Sequence, residues 1–208
     1  MIFLAISAGL VGLIHSLAPG HWLPVVLMSK GRRWPIQKAI FGALVAASGH
    51  IFLSIVLSVL GIWAGAQIFT GYQEEQIERY AGLVLLVFGL VYGSIAWFRH
   101  SGCRGHTHHG PSEPKPKSSR GALLFLFSIG FSPCIAALPI FVAVAPSGVF
   151  NLVLSMISFA IGVVLALVGA TILVSLGLMK LDHPIFEHYG DVMTGFGIAV
   201  IGGLLFLY

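Results

Sequence analysis

The stretch HSLAPGH places two histidines, His15 and His21, on either side of a Pro-Gly pair in a run of otherwise mostly apolar residues. A third histidine, His50, and a cysteine, Cys134, also lie in long apolar runs. Imidazole and thiolate groups are suitable ligands for nickel, cobalt, zinc and copper ions. We therefore interpret His15, His21, His50 and Cys134 as candidate ligands of a borderline or soft metal ion.

Carboxylates are missing from the long runs that carry two of these ligands. No Asp, Glu, Lys or Arg occurs within residues 39–73 or 121–179. Calcium and magnesium require oxygen ligands, which carboxylates usually supply. The sequence therefore excludes a carboxylate site for these two ions in those runs.

The pair Pro19-Gly20 predicts that the helix carrying the first two histidines is broken. Proline removes a backbone hydrogen bond and clashes with the preceding turn, and glycine lowers the helix preference further. In an unbroken helix, His15 and His21 would point about 120° apart, because a turn has 3.6 residues. A break between them allows both side chains to face one ion. Two further prolines, Pro133 and Pro139, predict a similar break in the second half of the chain.

The composition indicates an integral membrane protein. Of the 208 residues, 57% are hydrophobic and only 9% are charged, whereas soluble domains carry about 25% charged residues. A helix needs about 20 apolar residues to cross a bilayer. Six such runs are present, at residues 2–29, 39–69, 80–98, 121–147, 150–178 and 191–208. The sequence thus predicts an all-α membrane protein with six transmembrane helices.

A polar segment at residues 99–120 divides the six predicted helices into two groups of three. Its proline, serine, lysine and histidine content is typical of a flexible linker. We therefore predict one three-helix repeat at residues 1–98 and a second at 121–208.

Matching motifs support a duplication. At the start of the last predicted helix of each group stands a Glu-x-Tyr motif, and a glycine follows fifteen residues after the glutamate. In the first group these residues are Glu78 and Gly93, and in the second they are Glu187 and Gly202. Because each repeat has an odd number of spans, the second must insert upside down relative to the first. Inverted repeats with helices broken near the bilayer midplane are typical of secondary transporters.

The basic residues indicate the orientation, because Lys and Arg are retained on the cytoplasmic side of a membrane. Ten of the eleven fall in three loops that six spans would place on one side, and only Arg79 falls on the other. This distribution predicts that both termini lie outside and that the central linker is cytoplasmic. The net charge of +4 is then a topology signal, and we expect no nucleic-acid partner.

The linker carries four further potential metal ligands, Cys103, His106, His108 and His109. Short Cys/His tracts bind metal ions. On the predicted cytoplasmic side, this tract would collect ions as an auxiliary site.

HSLAPGH, followed by a basic loop and then KAIFGALVAASGHIFLSIVLS, resembles the nickel/cobalt transporter (NicO) family of bacterial inner-membrane proteins. That family has an H-x-x-x-P-G-H pattern in its first span, matched by His15, Pro19, Gly20 and His21. It has a small-residue stretch with histidine in its second span, matched by Ser48-Gly49-His50. The resemblance covers mainly residues 10–60. It implies a multi-pass transporter of nickel or cobalt, acting in efflux through these histidines.

The same resemblance leaves alternatives open. Ser132-Pro133-Cys134 is similar to an element of membrane thiol-disulfide electron carriers, but such exchange needs a second thiol. The corresponding first-half position is Gly20, so Cys103 would have to supply that thiol. Export of a small oxyanion such as sulfite is another alternative, because helix N-termini at the prolines could hold an anion. A metalloenzyme assembly factor that transports nothing is a further one.

We expect no enzymatic activity, because no catalytic nucleophile is recognisable and the nucleotide-binding GxxxxGK[ST] pattern is absent. No permanently bound cofactor is expected, and the transported Ni²⁺ or Co²⁺ is the only ligand. The expected partners are the lipid bilayer and the metal ion, with a second copy of the chain or a metallochaperone as candidate protein partners.

Overall fold

The computed structural model describes residues 2–68, 73–102, 119–130, 134–177 and 184–207. Within these ranges the regular structure is entirely helical, which confirms the all-α prediction. The described α-helices are α1 (Ile2–Ser16), α2 (Pro19–Gly31), α3 (Ile36–Ile68), α4 (Glu74–Gly102), α5 (Ser119–Gly130), α6 (Ala137–Val144), α7 (Val149–Ser175) and α8 (Pro184–Leu207). A short 3₁₀ turn at Ala145–Ser147 follows α6.

Several of the described helices are long and apolar enough to cross a membrane. Three qualify alone, over Ile36–Gly65, Glu75–Phe98 and Val149–Ser175, and α1 with α2 qualifies as a pair bent by 53°. The helices α5, α6 and α8 contain shorter apolar stretches. Many large apolar side chains, including Phe52, Trp63 and Phe98, are exposed on the surface. So much exposed apolar surface fits contact with lipid, and the structure confirms a multi-pass membrane protein.

Helices from before residue 103 pack mainly against helices from after residue 118. Among the described elements, α1 has its most extensive contact with α7, α3 with α5, and α4 with α8. The helices α3 and α7 also contact each other, so that they lie at the centre of the arrangement. The two parts of the chain therefore share one core.

Glycines bring the backbones of paired helices close together. A Cβ atom on Gly89 of α4 would lie 2.6 Å from the Gly195 carbonyl oxygen of α8, and one on Gly82 would lie 2.5 Å from the Phe206 backbone nitrogen. Real Cβ atoms do not approach other atoms so closely, so these positions require glycine. Small residues allow such close packing between membrane helices, whose association depends on van der Waals contact.

The helix bounds differ in detail from the predicted spans. The helix α4 continues to Gly102, one turn past the predicted end of its span, and α5 begins at Ser119. The rest of the predicted linker, residues 103–118, lies outside the described residues. The repeat boundaries predicted from the sequence thus stay predictions.

Candidate metal site

The candidate site begins where the first apolar run changes direction. The helix α1 ends at Ser16, and α2 begins at Pro19 with the proline in its first turn. Ala18, which precedes the proline, has φ −57° and ψ 134°. This extended conformation is expected before proline, whose ring disfavours a helical residue at that position. Proline is also well tolerated at the first position of a helix, because that backbone N–H has no partner in the helix.

Backbone carbonyls released by this change of direction find other donors. The Trp22 indole Nε1 donates to the Leu17 carbonyl oxygen at 2.9 Å. The Thr194 hydroxyl of α8 donates to the Ile14 carbonyl oxygen at 3.4 Å. A buried carbonyl without a partner costs about 1–3 kcal/mol. These two side chains therefore stabilise the bend and fix how α1 meets α2.

Three histidine rings converge at this bend. The ring centroids of His15 and His21 are 4.7 Å apart, those of His21 and His50 5.0 Å, and those of His15 and His50 5.7 Å. His15 is the second-to-last residue of α1, His21 lies in the first turn of α2, and His50 lies in the middle of α3. The bend thus brings together two rings that an unbroken helix would direct about 120° apart.

Cys134 completes the cluster from the second half of the chain. One ligand atom each from His15, His50 and Cys134 can be chosen so that all three lie within 4.8 Å of one another. Ligand atoms of a tetrahedral site with metal–ligand bonds of 2.0–2.3 Å are about 3.5 Å apart. The three groups therefore need to close by about 1 Å to hold one ion, which small rotations of the side chains can provide.

The cluster lies in a largely apolar interior. His50 is 1% exposed and Cys134 is 3% exposed. The Phe159 ring of α7 stacks on His50 with a centroid distance of 6.5 Å, and Phe141 packs edge-on against Phe159. These rings exclude water from one side of the cluster and hold the His50 imidazole in position.

One imidazole nitrogen of the cluster is buried without a hydrogen-bond partner among the described residues. It is the Nε2 atom of His15. A buried polar atom in this state is costly, and such atoms commonly belong to functional sites. A bound cation would satisfy it.

Comparison with known proteins gives one informative result. The chain is 25% identical over 216 aligned positions to a protein of Methanocaldococcus jannaschii whose name provisionally describes a nickel/cobalt efflux system. The alignment covers 88% of this chain and 94% of the relative. The resemblance to the nickel/cobalt transporter family is confirmed. No family model and no solved structure matches the chain.

The structure gives positions for only some of the other predicted site residues. Of the family pattern, Pro19 begins α2 and Gly20 is exposed. Pro139 lies within α6, near the start of that helix. Five predicted residues lie outside the described part of the chain, namely Pro133 and the linker residues Cys103, His106, His108 and His109.

Sequence analysis missed three residues that shape the cluster: Trp22, Phe159 and Thr194. Trp22 adjoins His21 and could have been noted as an indole donor beside a predicted break. Phe159 and Thr194 reach the cluster only through the packing of distant helices, and no local pattern identifies them.

Proposed function

We propose that the protein transports Ni²⁺ or Co²⁺ across the inner membrane, out of the cytoplasm, through the cluster of His15, His21, His50 and Cys134. The observation that carries this proposal is the convergence of one ligand atom each from three of these residues within 4.8 Å. They come from α1, α3 and the segment before α6. Residues far apart in sequence thus supply a compact set of nitrogen and sulfur ligands.

The ligand set favours a borderline divalent ion. Imidazoles and a thiol suit nickel, cobalt and zinc, whereas calcium and magnesium need oxygen ligands. The name of the Methanocaldococcus relative, with its reference to nickel and cobalt, supports the first two of these metals. It also supports efflux as the direction.

The architecture we propose is a six-span inverted repeat. Its third span is α4 and its sixth is α8, while α1–α2 and α5–α6 are two broken spans beside the intact spans α3 and α7. The helix contacts support this, because α1 against α7 in one half corresponds to α5 against α3 in the other. The contact of α4 with α8 joins the remaining pair. Such folds bind their substrate where the broken helices meet.

The orientation we propose follows from the basic loops. Arg32 and Arg33 lie between α2 and α3, with Lys30 at the end of α2 and Lys38 at the start of α3. Lys and Arg mark the cytoplasmic side. The linker histidines would then face the cytoplasm and gather ions for export.

The cluster favours metal transport over thiol-disulfide exchange. Within the described part of the chain, the groups that meet Cys134 at ligand distance are the imidazoles of His15 and His50. A redox carrier would require a second thiol there, and Cys103, the candidate for it, lies outside the described residues. An oxyanion exporter would have no use for a thiol and three imidazoles around one point.

The test is binding and flux of the purified protein in lipid vesicles. We would remove the linker ligands Cys103, His106, His108 and His109 by alanine substitution in every variant, so that binding reports the cluster. His15→Ala/His50→Ala should lower nickel and cobalt affinity by more than a hundredfold, because even loss of a supporting residue costs 10–100-fold. His188→Ala, at a histidine outside the proposed ligand set, is the control. Unchanged flux in the double variant would refute the proposal.

A further inference from the structure

The buried face of α3 changes in chemistry at His50. Before it, this face consists of alanine, with Ala43 and Ala47 at 0% exposure. After it, at successive intervals of four residues, come Ser54 and Ser58, each 1% exposed. Residues four apart lie on the same side of a helix. One face of α3 therefore continues from the imidazole of His50 as a line of hydroxyl groups, in one direction only.

The hydroxyl of Ser54 is buried without a partner. Serine in a helix usually donates to the carbonyl oxygen four residues earlier, and Ser58 does so, with its Oγ 2.6 Å from the Ser54 carbonyl oxygen. The Oγ of Ser54 makes no hydrogen bond to any described residue. A hydroxyl buried in this way costs stability unless a ligand or water satisfies it. Both serine oxygens keep lone pairs with which to contact a cation.

The corresponding face of α7 is apolar over the two turns that follow Phe159, and buried hydroxyl residues, Ser155 and Thr171, lie one turn before and three turns after that ring. Phe159, which stacks on His50, is followed one and two turns later by Val163 and Leu167, which are 0% and 2% exposed. In the inverted arrangement proposed above, α7 runs antiparallel to α3. Val163 and Leu167 therefore extend from the cluster towards the end opposite to the serines. Over the two turns next to the cluster, a charged ion would therefore meet the hydroxyl groups of α3 in one direction and the hydrocarbon side chains of α7 in the other.

The line of hydroxyls ends against a side chain from α6. Gly61 follows Ser58 by one turn, and a Cβ atom on Gly61 would lie 2.8 Å from Cδ2 of Leu138. Leu138 therefore occupies the space that a side chain at position 61 would fill.

We propose that Ser54 and Ser58 line the route by which the divalent ion moves between the His/Cys cluster and the C-terminal end of α3, and that Leu138, seated on Gly61, closes this route. The inference rests on the proposed function. Conduction requires sites that bind an ion weakly enough to release it. Neutral hydroxyl oxygens next to strong nitrogen and sulfur ligands meet that requirement.

The experiment is nickel flux into vesicles containing the full chain, with nickel affinity measured on the same preparations. Ser54→Ala/Ser58→Ala removes the oxygen contacts to the ion and should reduce flux about tenfold, an effect similar in size to losing one hydrogen bond to a charged group, while affinity stays within about twofold. Leu138→Ala should raise flux. A general loss of stability cannot change flux in opposite directions, so this pair separates the route from an effect on folding.

Two further variants complete the design. Ser54→Thr/Ser58→Thr keeps both hydroxyls and should retain most of the flux. Ser128→Ala removes an exposed hydroxyl that donates to the Leu124 carbonyl oxygen, and it should behave as wild type. Wild-type flux in the double alanine variant, with flux abolished in His15→Ala/His50→Ala, would overturn the route and leave the proposed function intact. Absence of nickel flux in the wild type would overturn the proposed function itself.

Discussion

Gly12 places α1 against the helix that supports His50, and replacing it should weaken the metal site. A Cβ atom at position 12 would lie 2.6 Å from the Phe159 carbonyl oxygen and 3.0 Å from the Phe159 ring. An ordinary contact needs at least about 3.4 Å, so Gly12→Ala must separate α1 from α7 by about 0.8 Å. The backbone carbonyl cannot rotate away. His15 lies three residues further along α1, and the Phe159 ring stacks on His50.

The displacement is large compared with what a metal site tolerates. Ligand distances in metal sites hold to about 0.2 Å. Side-chain rotations already have to close about 1 Å, so a further shift of about 0.8 Å should lower nickel affinity 10–100-fold, as loss of supporting residues does. Overpacking should also cost about 1–3 kcal/mol of unfolding free energy.

The assay is nickel titration of the purified protein in lipid discs, with thermal unfolding of the same samples. Gly169→Ala is the matched control, because a Cβ atom at that position of α7 would meet nothing within 4 Å. The control should keep wild-type affinity. If Gly12→Ala also binds nickel with wild-type affinity, then the spacing of α1 and α7 does not set the geometry of the cluster, and our reasoning fails.

Three further outcomes are expected. Cys134→Ser should lower cadmium affinity at least about tenfold more than nickel affinity, since thiolate favours soft metals, and competition binding showing equal losses would argue against Cys134 as a ligand. Trp22→Phe should reduce the free energy of unfolding by about 1–3 kcal/mol, because the Leu17 carbonyl loses its donor, and an unchanged denaturation midpoint would contradict this role. Gly89→Ala should lower the unfolding temperature, because the new Cβ atom clashes with the α8 backbone. The nickel affinity of the folded protein should stay the same. A loss of affinity without destabilisation would show instead that the α4–α8 contact affects the cluster.

Local chemistry determined what the sequence could predict. The apolar runs predicted an all-helical membrane protein. Pro19-Gly20 predicted a broken span, and in the structure α1 ends at Ser16 and α2 begins at Pro19. The histidines and Cys134 could be proposed as a group because few residues in such runs carry ligand atoms. The structure places them together, and their role as metal ligands stays a prediction.

Other features depend on packing between distant segments. The sequence does not reveal that Phe159 stacks on His50, because the two residues meet only through the contact of α3 with α7. The donor to the Leu17 carbonyl depends on the rotamer of Trp22. The number of spans could not be fixed from apolar runs alone, since the described residues of the run at 121–147 contain two short helices, α5 and α6.

The pairing of early helices with late ones has a consequence for biosynthesis. Because the chain leaves the ribosome from its N-terminus, α1, α3 and α4 emerge before α7, α5 and α8, their main partners. Their contact faces then lack these partner helices, and His15 and His50 lack Cys134. The early helices therefore stay without their partner helices in the bilayer until the later helices are inserted. Ribosome pausing, or a chaperone that shields these faces, would therefore determine how much protein reaches its folded state.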